Sequence, residues 1–362
     1  MSAKKVLVAM SGGIDSSVTA LLLQKQGYDV IGVHLKLWDF AGKDSDLCND
    51  GLCCSLDSII DCRIICDKID VPFYVLNMTE QFRESIIEYF VSEYKSGRTP
   101  NPCIKCNRDI KWAAILNKAR ELECDFIATG HYAFNEKNED GRCQIRRGID
   151  KTRDQSYVLW DISQQALAKT LMPLGGLTKT DVRRIAAENE LKNANSSESR
   201  DICFIPDNNY HRFLKEWCEK KNESFTTGDI VHENGTVLGQ HEGTAFYTIG
   251  QRRGLGIAHP TPLYVLRIEP DTNRVIVGDD DMLYRDELEA ENVNWVAIDG
   301  SELPLKAQVK IRYRHSPADA EIVGLTNNRI RILFDEKQRA ITPGQSVVFY
   351  DNDVLLGGGI IV

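Results

Sequence analysis

The stretch that decides the fold of the first half is residues 4–17, Lys-Lys-Val-Leu-Val-Ala-Met-Ser-Gly-Gly-Ile-Asp-Ser-Ser. An apolar run, Val6 to Met10, ends in a hydroxyl and two glycines, and a helix-patterned segment continues from Val18. This pattern predicts a strand, a tight loop and a helix. Gly12 and Gly13 permit close backbone approach and positive φ, and the loop amides and the helix N-terminus present positive partial charge. The loop is therefore expected to bind an anion.

The loop lacks the lysine and spacing of a Walker P-loop, and it does not fit G-x-G-x-x-G. It resembles the S-G-G-x-D-S loop of the N-type ATP pyrophosphatases, which bind the β- and γ-phosphates of ATP while a substrate oxygen attacks the α-phosphate. The alternative is a glycine turn ahead of an ordinary helix, in which Asp15 would be only a helix N-terminal charge.

Length and composition bound the class of protein. With 362 residues and 42% hydrophobic content the chain can form two or three domains. No run approaches 18 apolar residues, and the first apolar segment is too short for a signal sequence, so we expect a cytoplasmic protein without a membrane partner. The 11 cysteines are an odd number and are expected to be reduced. A net charge of -9 argues against nonspecific nucleic-acid binding, although it leaves room for a local basic surface.

Strands and helices alternate after the loop. A strand is predicted at Val30–Leu35, a helix at 56–69, a strand at 73–76 and a helix at 80–94. Such alternation predicts a doubly wound parallel sheet of the α/β class with right-handed crossovers.

From about Asn222 the sequence pattern changes to short apolar runs separated by turn residues, which predicts a small, mainly β central domain. A further all-β segment from Asn292 has the strand spacing of a small β-barrel. The predicted domains are 1–207, 208–281 and 282–362. Lys310, Arg312 and Arg314 alternate, which predicts three cations on one face of a strand, either a phosphate-binding surface or a solvated face.

The cysteines differ in context. Cys62 and Cys66 are four residues apart on a predicted helix, which favours core packing over metal ligation. Cys48, Cys53 and Cys54 leave a zinc site open, although they form no C-x-x-C pair.

Gly97–Asn107 contains two prolines, so we predict an ordered loop that leads into a helix beginning near Asn107. Cys106 would then lie at a helix N-terminus, which lowers a thiol pKa and favours a nucleophile. Residues 95–120 contain seven basic residues and one acid, a composition that can bind phosphates. The alternative for Cys103 and Cys106 is a zinc or redox pair.

Two further residues of interest lie in or directly after short apolar runs. His131 follows the predicted strand at 126–129, and the carboxyl edge of a doubly wound sheet is where ligands bind. Cys203 lies in a short apolar run that Pro206 ends.

Several motifs together resemble the bacterial tRNA-specific 2-thiouridylase family over nearly the whole chain. They are Ser11–Ser17, Gly97–Pro102, Cys106-Asn107, Thr129–Tyr132, Asp154–Tyr157, Ile202–Ile205, Gly250–Gly256 and Thr342–Gln345. The resemblance implies ATP-dependent sulfur transfer to C2 of the wobble uridine, position 34, of the tRNAs for Lys, Glu and Gln. It also implies a pyrophosphatase domain, a small central domain and a C-terminal barrel that contacts tRNA.

The resemblance also implies roles for residues. The uridine O2 would attack the α-phosphate of ATP, which makes an adenylate and releases pyrophosphate. Cys203 would receive a persulfide from a sulfur donor such as a cysteine desulfurase or relay protein, and Cys106 would be the nucleophile that ends in a disulfide with Cys203. Asp15 would help bind magnesium at the phosphates.

The implied binding residues form three sets. The ATP set is Ala9, Met10, Ser11, Gly12, Gly13, Ile14, Asp15, Ser16, Leu35 and Gly130. The target-base set is Asn101, Pro102 and Cys103. The tRNA set is His131, Arg153, Asp154, Gln155, Arg312, Tyr313 and Gln345.

Three alternatives stay open. Some family members have Asp at the position of Cys103, so Cys103 could instead join Cys106 and Cys203 as a ligand of an iron-sulfur cluster, or take part in disulfide exchange. The loop could also serve a ligase with another acceptor, which needs no pair of cysteines. The third alternative is an RNA- or metal-binding module whose nucleotide loop is vestigial.

Overall fold

The computed structural model describes residues 3–38, 56–191 and 202–362. The possible zinc ligands Cys48, Cys53 and Cys54 lie outside these ranges. Within the ranges, the strands form three sheets of five, four and eight strands.

The five-stranded sheet is parallel and has the strand order β3-β2-β1-β4-β7. Its strands are β1 Lys5–Ala9, β2 Asp29–Lys36, β3 Phe73–Asn77, β4 Phe126–Ala128 and β7 Thr170–Leu171. The central strand β1 has Val6, Leu7 and Val8 fully buried, because helices cover both faces. The predicted α/β class is confirmed.

The helices of this part follow the sequence pattern closely. They are α1 Ile14–Lys25, α2 Leu56–Lys68, α3 Thr79–Phe82, α4 Glu88–Lys95, α5 Pro102–Cys106, α6 Ala113–Glu121, α7 Gln164–Leu167 and α8 Lys179–Glu188. The π-helical turns Arg83–Ile87 and Asn107–Trp112 join α3 to α4 and α5 to α6. The core prediction for two cysteines is confirmed, since Cys62 and Cys66 are fully buried beside Ile65.

The central domain begins with helix α9, Tyr210–Lys220, and contains a sheet in the order β10-β11-β8-β9. The strands are β8 Gly228–His232, β9 Val237–His241, β10 Tyr264–Glu269 and β11 Arg274–Gly278. One hydrophobic cluster joins Phe90 and Cys106 of the first domain to Leu214 and Val265 of this one. The two domains therefore share a core.

The C-terminal part is a closed barrel, because β12 pairs with both β15 and β17. Its strands are β12 Tyr284–Trp295, β13 Leu305–Lys310, β14 Ala318–Gly324, β15 Ile330–Arg339, β16 Ser346–Asp351 and β17 Val354–Ile361. A hairpin from the first domain, β5 Ala133–Lys137 and β6 Cys143–Arg147, adds to the barrel through β17. The sequence did not predict this addition.

One prediction for the barrel is wrong. The strand expected to present Lys310, Arg312 and Arg314 ends at Lys310, and the next residues form a turn in which the His315 amide donates to the Arg312 carbonyl at 3.1 Å. Two cations thus lie in a turn, where alternation does not define a common face. No helix in the described ranges is both long and apolar enough to cross a membrane.

Candidate nucleotide and sulfur-transfer site

The loop after β1 is ordered by its own hydroxyl groups. Gly12 has φ of +81° and lies so close to α2 that a Cβ would be 2.9 Å from the Ser58 carbonyl oxygen. The Ser16 and Ser17 hydroxyls donate to the Gly13 carbonyl at 3.0 and 2.9 Å, and the Ser11 amide donates to Ser16 Oγ at 3.1 Å. Glycine is required at position 12 for both its backbone angle and its contact.

The N-terminus of α1 faces this loop. The first intrahelical bond runs from the Ser17 amide to the Gly13 carbonyl at 3.3 Å, so the amides of Ile14, Asp15 and Ser16 precede the helical pattern. Amides at this position attract phosphate oxygens. Gly130, after β4, lies against the same turn, because a Cβ there would be 3.0 Å from the Ser16 nitrogen.

Lys179 belongs to this site, although it was not predicted from the sequence. Its ammonium is 2.8 and 2.9 Å from the two carboxylate oxygens of Asp15, and the Tyr132 hydroxyl donates to Asp15 Oδ1 at 2.7 Å. Lys179 is only 8% exposed, although it is the first residue of α8. A capping box between Thr178 and Asp181 fixes the start of that helix. The capping box was the available signal, but nothing in the sequence related it to Asp15.

The cysteine helix, which we define as residues 102–121, begins earlier than predicted. It starts at Pro102 with Asn101 as the preceding cap residue, because proline is well suited to the first helical position. Cys106 is therefore the fifth helical residue and is only 4% exposed, so the expectation that it lies at the helix N-terminus is wrong. Cys103 occupies the first turn instead.

Cys106 and Cys203 contact the same hydrophobic cluster. Cys106 belongs to the cluster that contains Ile110, Phe204 and Ile205, and Cys203 packs against this cluster. The structure therefore brings together two segments that lie 97 positions apart, counting from residue 106 to residue 203.

Cys103 has different surroundings. It is accessible to solvent, yet burial raises the pKa of its thiol against a smaller opposite effect of Lys111. Burial and Lys111 also lower the pKa of His131 to about 3. His131 lies 2.9 Å from the Thr129 hydroxyl and against the Trp112 ring.

Comparison with known proteins identifies the family. Residues 4–207 match the tRNA methyl transferase HUP domain, residues 211–279 match the tRNA methyl transferase PRC-barrel domain, and residues 285–361 match the aminomethyltransferase beta-barrel domain. The tRNA-specific 2-thiouridylase MnmA of Geotalea uraniireducens is 48% identical over 99% of this chain and 95% of its own length. That of Clostridioides difficile is 47% identical over 99% of this chain and 98% of its own.

The chain belongs to the tRNA-specific 2-thiouridylase family. Among solved structures, a 4-thiouridine synthetase–RNA complex with bound ATP matches with a TM-score of 0.35 at 15% identity, covering 54% of this chain and 44% of that one. The family membership makes the chain a tRNA-modifying sulfurtransferase enzyme.

Residues that the family resemblance assigns to tRNA are partly brought together. The Tyr313 hydroxyl donates to the Asp154 carbonyl at 3.0 Å, which joins the barrel to the first domain. The Asp154 carboxylate accepts from the Ser156 hydroxyl at 2.9 Å, and Gln155 Oε1 accepts from the Tyr132 amide at 3.0 Å. The Asp154 side chain thus orders its own segment, and Gln155 connects that segment to Tyr132. Arg153 closes the preceding turn, with its amide donating to the Asp150 carbonyl at 2.9 Å.

A basic cluster surrounds this joint, and we define it as Arg147, Lys310, Arg312 and His315. Burial lowers the pKa of Lys310, Arg312 and His315, and neighbouring cations lower it further, although the Asp154 carboxylate opposes this effect at Lys310. Arg147 lies 4.0 Å from the centre of the Tyr350 ring, and two of its guanidinium nitrogens have no hydrogen-bond partner among the described residues. Desolvated cations with few anionic partners favour binding of a phosphate.

The basic stretch at 95–120 is a poorer phosphate site than its composition suggests. Lys105 and Arg108 pair with Asp109 at 2.9 and 2.5 Å, and Arg108 also pairs with Asp161 at 2.7 Å. Arg98 pairs with Glu93 at 2.8 Å. Much of the positive charge is already neutralised by carboxylates.

Histidine, cysteine and carboxylate side chains do not form a group of three or more that could hold a metal ion within residues 3–38, 56–191 and 202–362. An ATP-bound magnesium ion is a different case, because magnesium commonly takes one or two carboxylates and completes its shell with phosphate oxygens and water. Asp15, at the end of the loop, provides one carboxylate of that kind.

Proposed function

We propose that the chain catalyses ATP-dependent 2-thiolation of the wobble uridine, position 34, in the tRNAs for Lys, Glu and Gln. The observation that supports the proposal most is that Cys106 and the segment of Cys203 contribute to one hydrophobic cluster, and that Cys106 lies on the helix that starts with the target-base residues. A pyrophosphatase loop alone would serve many acceptors. Sulfur transfer needs a second cysteine, and Cys203 packs against the cluster that contains Cys106.

The first step activates the base. The uridine O2 attacks the α-phosphate of ATP, the bond to the β-phosphate breaks, and pyrophosphate leaves. The loop amides and the N-terminus of α1 would stabilise the negative charge on the departing phosphates. Asp15 would bind magnesium, which would supply further positive charge to the phosphates, while Lys179 would offset the charge of Asp15. Ala9, Met10, Leu35 and Gly130 would border the adenosine.

The second step transfers sulfur. Cys203, loaded by a sulfur donor such as a cysteine desulfurase or relay protein, carries the outer sulfur as a persulfide. The Cys106 thiolate attacks the inner sulfur, the sulfur–sulfur bond breaks, and the released sulfide attacks C2. AMP leaves with the O2 oxygen, and a disulfide joins Cys106 to Cys203. Reduction of that disulfide is needed before another turnover.

The tRNA would lie across the barrel and the first domain. His131, Arg153, Asp154, Gln155, Arg312, Tyr313 and Gln345 are the proposed contacts, and Asn101, Pro102 and Cys103 are proposed to face the target base. We also place the protein in the cytoplasm, where its tRNA substrates are found, and keep the domain boundaries at 1–207, 208–281 and 282–362.

The test separates the two steps. Cys106→Ser and Cys203→Ser should each abolish 2-thiouridine formation while pyrophosphate release in the presence of tRNA persists. Cys143→Ser, which changes a buried cysteine of the hairpin, is the matched control and should retain thiolation. Both products can be measured in one reaction, by nucleoside mass spectrometry and by a pyrophosphate assay.

Peptide mapping after one turnover without reductant identifies the cysteine partner. We expect Cys106 joined to Cys203, with Cys103 unmodified. A Cys103–Cys106 disulfide would contradict the scheme. Iron retained by anaerobically purified protein in proportion to its activity would favour a cluster at the three cysteines.

A further inference from the structure

The segment before the cysteine helix lies between the other two domains. A Cβ on Gly97 would be 2.9 Å from the Pro270 ring of the central domain, which shows how closely the two backbones approach. On the other side, Arg98 donates to the Ile361 carbonyl of the barrel at 3.4 Å and pairs with Glu93 at 2.8 Å. Residues 97–100 are therefore in contact with both neighbouring domains.

Thr99 has all three of its polar groups bonded to other domains. Its amide donates to the Pro343 carbonyl at 2.8 Å, and its carbonyl accepts from the Gln345 side-chain amide at 3.0 Å. Its hydroxyl is 3.3 Å from the hydroxyl of Thr248 in the central domain. Gln345 also reaches the Pro100 carbonyl at 3.4 Å. Because the Thr99 amide and carbonyl are both bonded to the barrel, a displacement of the barrel is expected to displace Thr99 as well.

Gly344 makes the contact closer than another residue would allow. It has φ of +87°, and a Cβ there would be 2.9 Å from the Thr99 oxygen and 3.0 Å from the Thr99 nitrogen. A glycine is required here both for its backbone angle and for the approach of the two chains. The backbone of the barrel loop 342–345 therefore packs directly against the backbone of Thr99.

The cysteine helix starts three residues after Thr99, with Pro102 fixed in its first turn. Pro100 and Pro102 each have a restricted φ, which limits the rotations by which the backbone between Thr99 and the helix could absorb a displacement of Thr99. The same barrel bears Arg312 and Tyr313, the proposed tRNA contacts.

We propose that the contact of Gln345 and Gly344 with Thr99 transmits the position of the tRNA-binding barrel to the cysteine helix, so that Gln345 is a positioning residue for sulfur transfer. This inference rests on the proposed function. In this role the Gln345 amide acts through the Thr99 and Pro100 carbonyls. The family resemblance places Gln345 among the tRNA contacts, whereas here its side-chain amide is assigned to the Thr99 and Pro100 carbonyls, so direct contact with tRNA is the competing account.

The experiment compares two substitutions with a matched control. Gln345→Ala removes the donor, and Gly344→Ala separates the barrel loop from Thr99. Gly235→Ala is the control, because Gly235 has φ of +90° and a Cβ there would meet nothing within 4 Å. It introduces the same kind of backbone strain at a place that does not touch residues 97–107.

Hydrogen exchange of the free protein gives the first readout. We expect the amides of residues 101 and 103–107 to exchange at least roughly threefold faster in Gln345→Ala and Gly344→Ala than in the wild type, and at the wild-type rate in Gly235→Ala. Unchanged exchange in Gln345→Ala would overturn the proposal. This readout needs neither ATP nor tRNA, so it stays valid if the proposed function fails.

The second readout is the rate of thiolation measured at increasing concentrations of tRNA. We expect Gln345→Ala to lower thiolation at saturating tRNA by about tenfold while the Kd for tRNA changes less than about twofold. A tenfold weaker Kd with the full rate at saturation would overturn the proposal in favour of direct contact. A wild-type protein that forms no 2-thiouridine would instead contradict the proposed function itself.

Discussion

The nucleotide loop at residues 9–16 is built mainly from its own neighbours in the chain, whereas the cysteine helix at 102–121 is positioned by all three domains. In the loop, the hydroxyls of Ser16 and Ser17 bond to the Gly13 carbonyl. Among more distant residues, Tyr132 and Lys179 bond to Asp15, His34 lies 2.9 Å from the Met10 carbonyl oxygen, and Ser58 packs against Gly12.

The cysteine helix depends on distant partners along its length. Its start follows Thr99, which contacts the barrel, and its Asn107 side chain donates to the Val158 carbonyl at 3.0 Å. Arg108 pairs with Asp161, and Cys106 packs into the core shared with the central domain.

The difference indicates a division of labour. Because the loop needs few distant groups, its ATP site is expected to be formed before tRNA arrives. The cysteine helix has neighbours in every domain, so its position depends on how the domains are arranged. Adenylation and sulfur transfer should therefore respond differently to substitutions.

The largest expected effect tests the long-range ion pair between Lys179 and Asp15 of the loop. Lys179→Met should lower tRNA-dependent pyrophosphate release by roughly 100-fold, because removing one preorganised charged donor from a reaction site commonly costs that much. Asp15→Asn should also lose adenylation while tRNA binding persists. Lys169→Met is the matched control, since Lys169 is an exposed lysine bonded to the Asp125 carbonyl at 3.4 Å.

The double variant Asp15→Asn with Lys179→Met separates charge balance from catalysis. If Lys179 only neutralises Asp15, the double variant should release pyrophosphate about as fast as Asp15→Asn alone. A rate for Lys179→Met equal to that of the wild type would remove this lysine from the site.

The next effect concerns tRNA affinity at the basic cluster. Arg312→Ala and Lys310→Ala should each weaken tRNA binding, and each should reduce the slope of log K against log salt by about one unit for every phosphate that the variant no longer binds. Lys306→Ala is the control, because Lys306 is an exposed cation of the same strand β13. If the variants lowered the free energy of unfolding but left the slope of log K against log salt unchanged, Lys310 and Arg312 would have a structural role and would not bind phosphates.

Local patterns predicted what contiguous residues determine. The strand, the two glycines and the helix of the loop are neighbours in the chain, so their order was sufficient to predict the fold there. Cys62 and Cys66 were placed in the core by their helical spacing alone, since a helix brings every fourth residue to one face.

The failures have specific physical causes. Alternating cations at 310–314 match the period of a strand, but the turn after Lys310 has the same alternation without a sheet partner. Two prolines before Cys106 suggested a loop, although the second begins a helix. Lys179 lies 164 positions from Asp15, and no local pattern in one sequence encodes such a pair.

The smallest expected effect concerns the ion pair between Arg108 of the cysteine helix and Asp161. The Asp161 side chain is 11% exposed, and burial raises the pKa of its carboxyl to about 6 from the reference value of 3.8, despite the opposing Arg108. Its neighbour Asp109 is also partly buried, which by itself would raise its pKa, but hydrogen bonds from Arg108 and Lys105 lower that pKa overall.

The two carboxyls therefore have opposite effects on stability as the pH changes. Between about pH 4 and pH 6 the folded protein keeps the Asp161 proton that the unfolded chain has already lost, so this group lowers the free energy of unfolding as the pH rises. Asp109 is ionised in the folded protein at a pH where the unfolded chain still binds its proton, so its contribution increases as the pH rises toward 4 and is lost as the pH falls.

Asp161→Asn should accordingly reduce the decline of the urea midpoint between pH 4 and pH 6, and at pH 7 it should change the free energy of unfolding by about 1 kcal/mol or less, since the buried charge is removed together with one partner of Arg108. Asp109→Asn should lower the midpoint at pH 7, because it removes a carboxylate stabilised by two cations. Urea titrations at one-unit intervals from pH 4 to pH 7 measure both. Equal pH profiles for Asp161→Asn and the wild type would contradict the raised pKa of this carboxyl, since burial and the Arg108 pair would then cancel in their effect on its titration.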